Sequence, residues 1–123
     1  MSHIVTIKTK VTDPAALAAA CRRLQLEQPI QGTARLFSEQ ATGLIVKLPG
    51  WHYPVVADVA TGEVKFDNYN QAWGKQEELD KLLQAYAVER AKAEARRVGN
   101  TVTEQALPNG SIKLTIQVAG GAA

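Results

Sequence analysis

The stretch HIVTIKTKVTDP at residues 3–14 joins an alternating segment to a strong helix start. Val5 and Ile7 alternate with threonine and lysine, and this period of two is typical of a half-buried β-strand. Asp13 is a favourable N-cap residue, and Pro14 suits the first helical position because the N–H that proline lacks would have no partner there. The stretch therefore predicts a first strand followed directly by a helix.

The predicted first helix continues to about residue 26. Its apolar residues recur at helical spacing and form one stripe, made of Leu17, Ala20, Cys21 and Leu24. Cys21 is the only cysteine, so no disulfide within the chain is possible. A reactive thiolate needs an electropositive and partly exposed site, whereas a cysteine on an apolar stripe behaves as a small hydrophobe. We therefore expect Cys21 to lie in the core.

Three glycine-containing pairs separate short segments that are rich in β-branched residues. The pairs are Thr42-Gly43, Thr61-Gly62 and Asn109-Gly110. A pair of this kind between alternating segments is a hairpin signal, and Asn-Gly is its strongest form because both residues accept positive φ. Each pair therefore predicts the turn of a β-hairpin.

A second, longer helix is predicted over residues 74–98. Its expected apolar face comprises Leu79, Leu82, Leu83, Tyr86, Ala87, Ala91 and Ala93. The resulting order is β-α-β-β-β-β-α-β-β, which predicts an α+β fold: a single mostly antiparallel sheet with two helices packed on one face. Residues 1–118 are expected to form this one domain, and residues 119–123 a disordered tail.

Composition restricts the class of protein. A chain of 123 residues with 46% hydrophobic and 21% charged residues is typical of one soluble globular domain. No apolar run is long enough to span a membrane, and the N-terminus lacks the plan of a signal peptide. With its single cysteine, the chain is expected to be cytoplasmic, without membrane association.

Two motifs at the ends of the chain carry a resemblance to a known family. MSHIVTIKTKVTDPAAL at residues 1–17 and VGNTVTEQALPNGSIKLTIQV at residues 98–118 resemble the domain of unknown function 1257 family. This is an uncharacterised chloroplast and cyanobacterial reading-frame family with bacterial relatives. The middle of the chain fits by layout, with an apolar strand ending in Asp58, a loop with Trp73 and a helix with Tyr86.

The resemblance implies a soluble protein with no established activity. Bacterial relatives tend to be encoded beside ATPases of the AAA type and another small uncharacterised protein. By this association, the resemblance implies an accessory subunit of an AAA-type ATPase-associated assembly.

The sequence contains no recognisable catalytic or metal-binding constellation. His3 and His52 are far apart, and the single cysteine has no companion at ligand spacing, whereas a zinc site needs three or four ligands. No phosphate-binding glycine motif or nucleophile elbow occurs, so we predict no cofactor and no metal. An enzyme of unrecognised type stays an alternative, for which Asp58, His52, Tyr53 and Glu104 would have to converge in one pocket.

Aromatic residues are concentrated between positions 51 and 73, where Trp51, Tyr53, Phe66, Tyr69 and Trp73 lie. In one interpretation they cap the core, because large aromatic side chains bury much area in a small domain. In the other they form an interaction patch, since Trp and Tyr dominate interface hot spots. The candidate patch comprises Trp51, His52, Tyr53, Tyr69, Asn70 and Trp73.

Taken together, these features predict a non-catalytic cytosolic binding or accessory protein with a protein partner or a homo-oligomeric state. Edge strands and the aromatic patch would be its contact surfaces. The alternative is a nucleic-acid-binding sheet, because cations fall on predicted strands at Lys8, Lys10, Arg35, Lys47, Lys65 and Lys113. Acidic residues are interspersed at Glu39, Glu63 and Glu104, which weakens the electrostatic footprint that such a protein needs.

Overall fold

The computed structural model describes residues 5–8 and 10–118, with side chains described from residue 10 onward. The predicted disordered tail at 119–123 and the first histidine lie outside these residues. The elements are β1 (Val5–Lys8), α1 (Pro14–Arg23), β2 (Ile30–Arg35), β3 (Gln40–Val46), β4 (Val55–Asp58), β5 (Glu63–Phe66), α2 (Gln76–Arg97), β6 (Thr101–Ala106) and β7 (Ile112–Gln117). This α+β order is the predicted one.

The strands form two sheets, so the prediction of a single sheet is wrong. Five strands pair in the order β1-β5-β4-β3-β2, and β6 pairs only with β7 among the described strands. All the pairings between them are antiparallel. The β6–β7 hairpin runs back beside α2, where Gln84 donates to the carbonyl of Gly110 at 3.1 Å. It therefore packs on the helices instead of extending the larger sheet.

The start of α1 follows the local chemistry of the sequence. The side chain of Asp13 accepts a hydrogen bond from the backbone N–H of Ala16 at 3.1 Å, and Pro14 occupies the first helical position. The helix ends at Arg23, earlier than predicted, because Gln25 adopts a left-handed conformation with φ of 60°.

The main core lies between the two helices and one face of the larger sheet. Its buried side chains include Leu17, Ala20 and Cys21 from α1, Leu79, Leu82 and Tyr86 from α2, and Val46, Val55, Val64 and Phe66 from the sheet. Cys21 is fully buried, as predicted. Burial of apolar surface of this kind is the dominant favourable contribution to folding.

The buried face of α2 differs in part from the predicted one. Ala87 and Ala93 are exposed, whereas Ala85, Val88 and Ala95 are buried. The difference arises because α2 contacts α1 on one side and the β6–β7 hairpin on another, so two neighbouring rows of the helix are covered.

The first of the three predicted turns is misplaced. The β2–β3 turn lies at residues 36–39, where the N–H of Leu36 donates to the carbonyl of Glu39 at 2.8 Å. Gly43 lies within β3, opposite Gly32. A Cβ at Gly43 would stand 2.4 Å from the carbonyl oxygen of Ala57, so glycine permits close approach of β3 to β4 there.

The β2–β3 hairpin tip lies over the second face of the sheet. Among the described strands, β3 pairs up to residue 43 with β2 alone, and its pairing with β4 begins at Leu44. At the tip, Glu39 lies 3.9 Å from the ammonium group of Lys65 on β5. A second, smaller apolar cluster is buried here, made of Ala34, Leu36, Ala41 and Val56 with Ile45 and Tyr53 packed against it.

The other two predicted hairpin turns are confirmed. Gly62 adopts φ of 84° between β4 and β5, and its N–H donates to the carbonyl of Asp58 at 2.7 Å. Gly110 adopts φ of 89° between β6 and β7. Both positions need a positive φ, which glycine reaches without steric cost.

Candidate functional site

Rings from three separate segments of the chain gather around the indole of Trp73. The ring centroids lie 4.7 Å away for Tyr69, 5.3 Å for Phe37, 5.6 Å for Tyr53 and 5.7 Å for His52. Tyr53 meets the indole edge-on at 69°, while the His52 ring lies nearly parallel to it at 22°. Distances of this size are those of favourable aromatic pairs. We name these five residues the aromatic cluster.

The aromatic cluster is a surface feature with a buried base. Phe37 and Tyr69 are 47% and 42% exposed, and His52 is exposed as well. Trp73 and Tyr53 are half-buried, and Tyr53 packs against the smaller apolar cluster. Some rings of the aromatic cluster therefore cover apolar residues, while others face solvent.

Trp51, a member of the predicted patch, is partly buried and packs against the main core. Its ring meets that of Phe66 at 5.7 Å and 62°, and its indole N–H donates to the carbonyl of Lys75 at 3.1 Å. A Cβ at Gly74 would lie 2.5 Å from this indole, so the loop before α2 passes directly against Trp51. Trp51 thus joins its own loop to the start of α2. The next two residues, His52 and Tyr53, contribute rings to the aromatic cluster, whereas Trp51 does not.

Asn70 lies in a short left-handed turn that presents the Tyr69 ring. Tyr69, Asn70 and Gln71 have φ of 46°, 49° and 73°. A run of three such residues without glycine is uncommon, because each costs roughly 1–2 kcal/mol relative to an ordinary conformation. The turn is closed by a hydrogen bond from the N–H of Ala72 to the carbonyl of Tyr69 at 2.9 Å. Asn70 itself is exposed.

Polar side chains hold this turn on the protein. The buried carboxylate of Asp67 accepts the N–H of Tyr69 at 3.2 Å, and the buried amide of Asn68 donates to the carbonyl of Gly74 at 3.3 Å. The side chain of Gln71 accepts the N–H of Gln76 at 3.1 Å and so satisfies a donor at the start of α2. The segment that carries Tyr69 is therefore fixed from both ends.

Backbone hydrogen bonds connect the loop that carries His52 to the loop that carries Trp73. The N–H of His52 donates to the carbonyl of Trp73 at 2.8 Å, and the N–H of Trp73 donates to the carbonyl of Asn68 at 2.9 Å. These bonds hold the rings of His52 and Trp73 beside each other. A preorganised surface loses less conformational entropy on binding.

Phe37 was not among the predicted patch residues. It lies in the β2–β3 turn, which brings it to Trp73 only because the hairpin tip lies over the second face of the sheet. The prediction placed this turn at Thr42-Gly43 and left Phe37 on a strand. The polar Ser38 beside an aromatic residue is the one local turn signal in this segment.

The residues of the enzyme alternative lie in different places. His52 and Tyr53 line a surface depression of about 300 Å³, whereas Asp58 lines another of about 90 Å³ with Glu63 and Lys65. The carboxylate of Asp58 accepts the N–H of Ala60 at 3.0 Å and so supports the β4–β5 turn. This arrangement gives Asp58 a structural role and does not place it with His52 as an acid–base pair.

Within residues 5–8 and 10–118, no group of three or more His, Cys, Asp or Glu residues could hold a metal ion. Neither of the two helices there is both long and apolar enough to cross a membrane.

Two of the lysines that motivated the nucleic-acid alternative lie near carboxylates. Lys47 is 3.5 Å from Glu27, and Lys65 is 3.9 Å from Glu39. Such pairing offsets part of the positive charge that phosphate contacts would use.

No protein-family model, curated protein or solved structure matches this chain. The resemblance to the domain of unknown function 1257 family therefore stays a prediction. The functional conclusion rests on the geometry of the aromatic cluster.

Proposed function

We propose that this protein is a non-catalytic binding or accessory protein whose partner-contacting surface is the aromatic cluster. The observation that carries the proposal is that Phe37 and Tyr69 stay nearly half exposed while packed against Trp73. Aromatic residues presented on a supported surface are typical of binding hot spots.

The conformation of the supporting loop favours this function. Left-handed residues without glycine cost free energy, and such conformations persist mainly at functional sites where the surrounding structure fixes them. In this protein, the turn at residues 69–71 presents the Tyr69 ring and is held by the buried Asp67 and Asn68. The same turn could have been built from glycine at lower cost, but without the ring at position 69.

The chemistry of the aromatic cluster favours a protein partner over a nucleic acid. Lys47 lines the same depression as His52 and Tyr53 but lies 3.5 Å from the carboxylate of Glu27, so binding would come mostly from burial of ring surface, which contributes about 25 cal/mol per Å² of apolar area. An assembly associated with an AAA-type ATPase is the partner class that the family resemblance implies. A reducing cytoplasm is the compartment that we propose, since the single cysteine is buried and unpaired.

The proposal is tested by quantitative co-purification from native extract. The wild-type chain is compared with the double variant Phe37→Ala/Tyr69→Ala, which removes the exposed phenylalanine and tyrosine rings of the cluster. The matched control is Val98→Ala/Ile116→Ala, which truncates side chains that are 54% and 46% exposed elsewhere on the surface. Far-UV circular dichroism checks that all three chains are folded.

We expect one protein to be enriched with the wild-type and control chains and to lose most of its enrichment with the aromatic double variant. Loss of one hot-spot residue costs at least about 2 kcal/mol, or about thirtyfold in affinity. Equal recovery with both double variants would contradict the proposal, and so would the absence of any enriched partner. Release of the partner by moderate salt would instead favour the nucleic-acid or charge-driven alternative.

A further inference from the structure

The outer edge of β2 is an open strand edge. β2 is the last strand of the five-stranded sheet, and among the described residues it pairs only with β3. An open edge exposes a row of backbone N–H and C=O groups, which proteins usually protect with lysine, proline or a β-bulge. Between Ile30 and Arg35 the edge has none of these, since its register with β3 is continuous. Ile30 is also 65% exposed.

The side chains of β2 are self-complementary about Gly32. Alternation places Ile30, Gly32 and Ala34 on one face of the strand, and Gln31 and Thr33 on the other. An antiparallel copy with Gly32 opposite its own equivalent would set Ile30 beside the partner's Ala34 and Gln31 beside the partner's Thr33. Apolar residues then meet apolar residues, and polar residues meet polar residues, as an isologous two-fold interface requires.

We propose that β2 pairs with β2 of a second copy of this chain in this register. The five-stranded sheets of the two copies would then form one continuous sheet of ten strands. The arrangement goes beyond the aromatic cluster and does not depend on it. Charge repulsion between the paired strands would be small, because Arg35 is the only charged residue of β2. The two copies of Arg35 would lie about 20 Å apart at opposite ends, from a rise of about 3.3 Å per residue.

Gly32 offers a direct test of the register. Among the described residues, a Cβ at Gly32 would have only the terminal methyl group of Ile45 within 4 Å, at 3.5 Å, so larger side chains fit there in the single chain. In the proposed dimer, side chains introduced at this position would lie directly opposite each other, with Cβ atoms about 5 Å apart. Gly32→Lys and Gly32→Glu should each therefore disfavour the dimer through like charge, and a mixture of the two should restore it as a heterodimer.

The measurement is molar mass by light scattering or sedimentation over a range of concentrations. The wild-type chain should be dimeric, and each single variant should raise the dimer dissociation constant by about fivefold or more, since directly opposed like charges are destabilising. Thr103→Lys, on an exposed position of β6, is the matched control and should leave the dimer unchanged. Circular dichroism confirms that every variant is folded.

A cross-linking pair keeps the test decisive if a charged variant fails to fold. Gly32→Cys should form a disulfide-linked dimer on oxidation, because directly opposed positions lie within disulfide reach. Thr33→Cys should not, because equivalent positions would be diagonal neighbours about 7–8 Å apart. The proposal is overturned by a wild-type chain that stays monomeric at all concentrations. It is also overturned by a dimer that both charged variants leave intact, or by cross-linking through Thr33→Cys alone.

Discussion

The hydroxyl of Tyr86 in α2 accepts a hydrogen bond from the backbone N–H of Asp13 at 3.1 Å and so holds the start of α1. The same oxygen accepts the N–H of Thr12 at 3.0 Å. The side chain of Asp13 meanwhile caps its own helix through Ala16. Local capping and a contact more than 70 residues away in sequence therefore fix one helix terminus together.

Replacement of Tyr86 by phenylalanine tests this link. Tyr86→Phe leaves the buried ring in place but removes the acceptor for two backbone N–H groups, so we expect the free energy of unfolding to fall by about 1–3 kcal/mol. Urea denaturation followed by circular dichroism measures it. Tyr53→Phe is the matched control, because it removes a hydroxyl from another tyrosine that is largely shielded from solvent and lies in a different part of the fold. An equal loss in both variants would mean that the hydroxyl of Tyr86 contributes nothing specific.

Four charged side chains join α1, α2 and the β6–β7 hairpin. Arg23 and Lys92 both contact Glu104, with 2.5 Å between the Lys92 ammonium and the carboxylate, and both also contact Glu89. Hydrogen bonds from Arg23 first, and then from Lys92, lower the pKa of Glu104 to about 2. A two-stranded hairpin alone is marginally stable, and this ion cluster is one of the contacts that attach the smaller sheet to the helices.

The lowered pKa of Glu104 predicts a pH-dependent contribution to stability. In the unfolded chain the carboxyl titrates near 4.5, so as pH falls it takes up a proton before the folded state does. The contribution is therefore complete above about pH 5 and is lost between that value and about pH 2. Because the side chain is partly exposed, we expect only about 1 kcal/mol at pH 7.

Glu104→Gln should lower the free energy of unfolding at pH 7 by that amount, and the difference from wild type should disappear near pH 2. Urea denaturation at several pH values measures this difference. Glu94→Gln is the control, because its pair with Arg97 is exposed and lies within one helix. A Glu104→Gln effect that does not change with pH would show that the loss is not electrostatic.

Gly74 allows the loop before α2 to pass against Trp51. Gly74→Ala would place a Cβ 2.5 Å from the indole, so the ring must move out of its contact with Phe66. Overpacking of this kind typically costs about 1–3 kcal/mol. Thermal unfolding and the tryptophan emission maximum should both change, whereas Gly32→Ala, whose Cβ has room, should change neither by much. A Gly74→Ala variant with wild-type stability and emission would contradict the packing described here.

Features set by neighbouring residues were predicted from the sequence. Asp13 and Pro14 begin α1, and Gly62 and Gly110 form hairpin turns, because each depends on backbone conformation within a few positions. The order of helices and strands follows from the same local signals. Cys21 was placed in the core because its helical stripe repeats every three or four residues.

Features that depend on distant contacts were not predictable in this way. Glycine at position 43 signals a turn in sequence, yet what decides its role is the carbonyl of Ala57 on another strand. Because the turn was placed at Gly43, Phe37 was not included in the predicted patch. Its contact with Trp73 requires the tip of the β2–β3 hairpin to lie over the sheet. The sequence likewise did not determine which strands pair with β6, since alternation identifies a strand but not the sheet that it joins.

Asn70 tests whether the left-handed turn of the site is under strain. Asn70→Val should destabilise the protein by about 1–2 kcal/mol, because a β-branched residue is a steric outlier at positive φ. Asn70→Gly should be neutral or stabilising by up to about 1 kcal/mol, since glycine adopts this conformation freely. Chemical denaturation of both variants measures the difference. If valine and glycine were equally tolerated at this exposed position, the turn at residues 69–71 could not be as described.

The thiol of Cys21 reports on the core between α1 and the sheet. Its side chain is fully buried, and burial raises the pKa of the thiol more than the nearby Arg22 lowers it. The thiolate is the reactive form, so both access and ionisation are suppressed in the folded chain. We expect Ellman's reagent at pH 8 to react with Cys21 at the rate of unfolding, and at once in denaturant. Tyr86→Phe should accelerate labelling by the same factor by which it raises the unfolding rate. Rapid stoichiometric labelling of the native protein would place Cys21 outside the core.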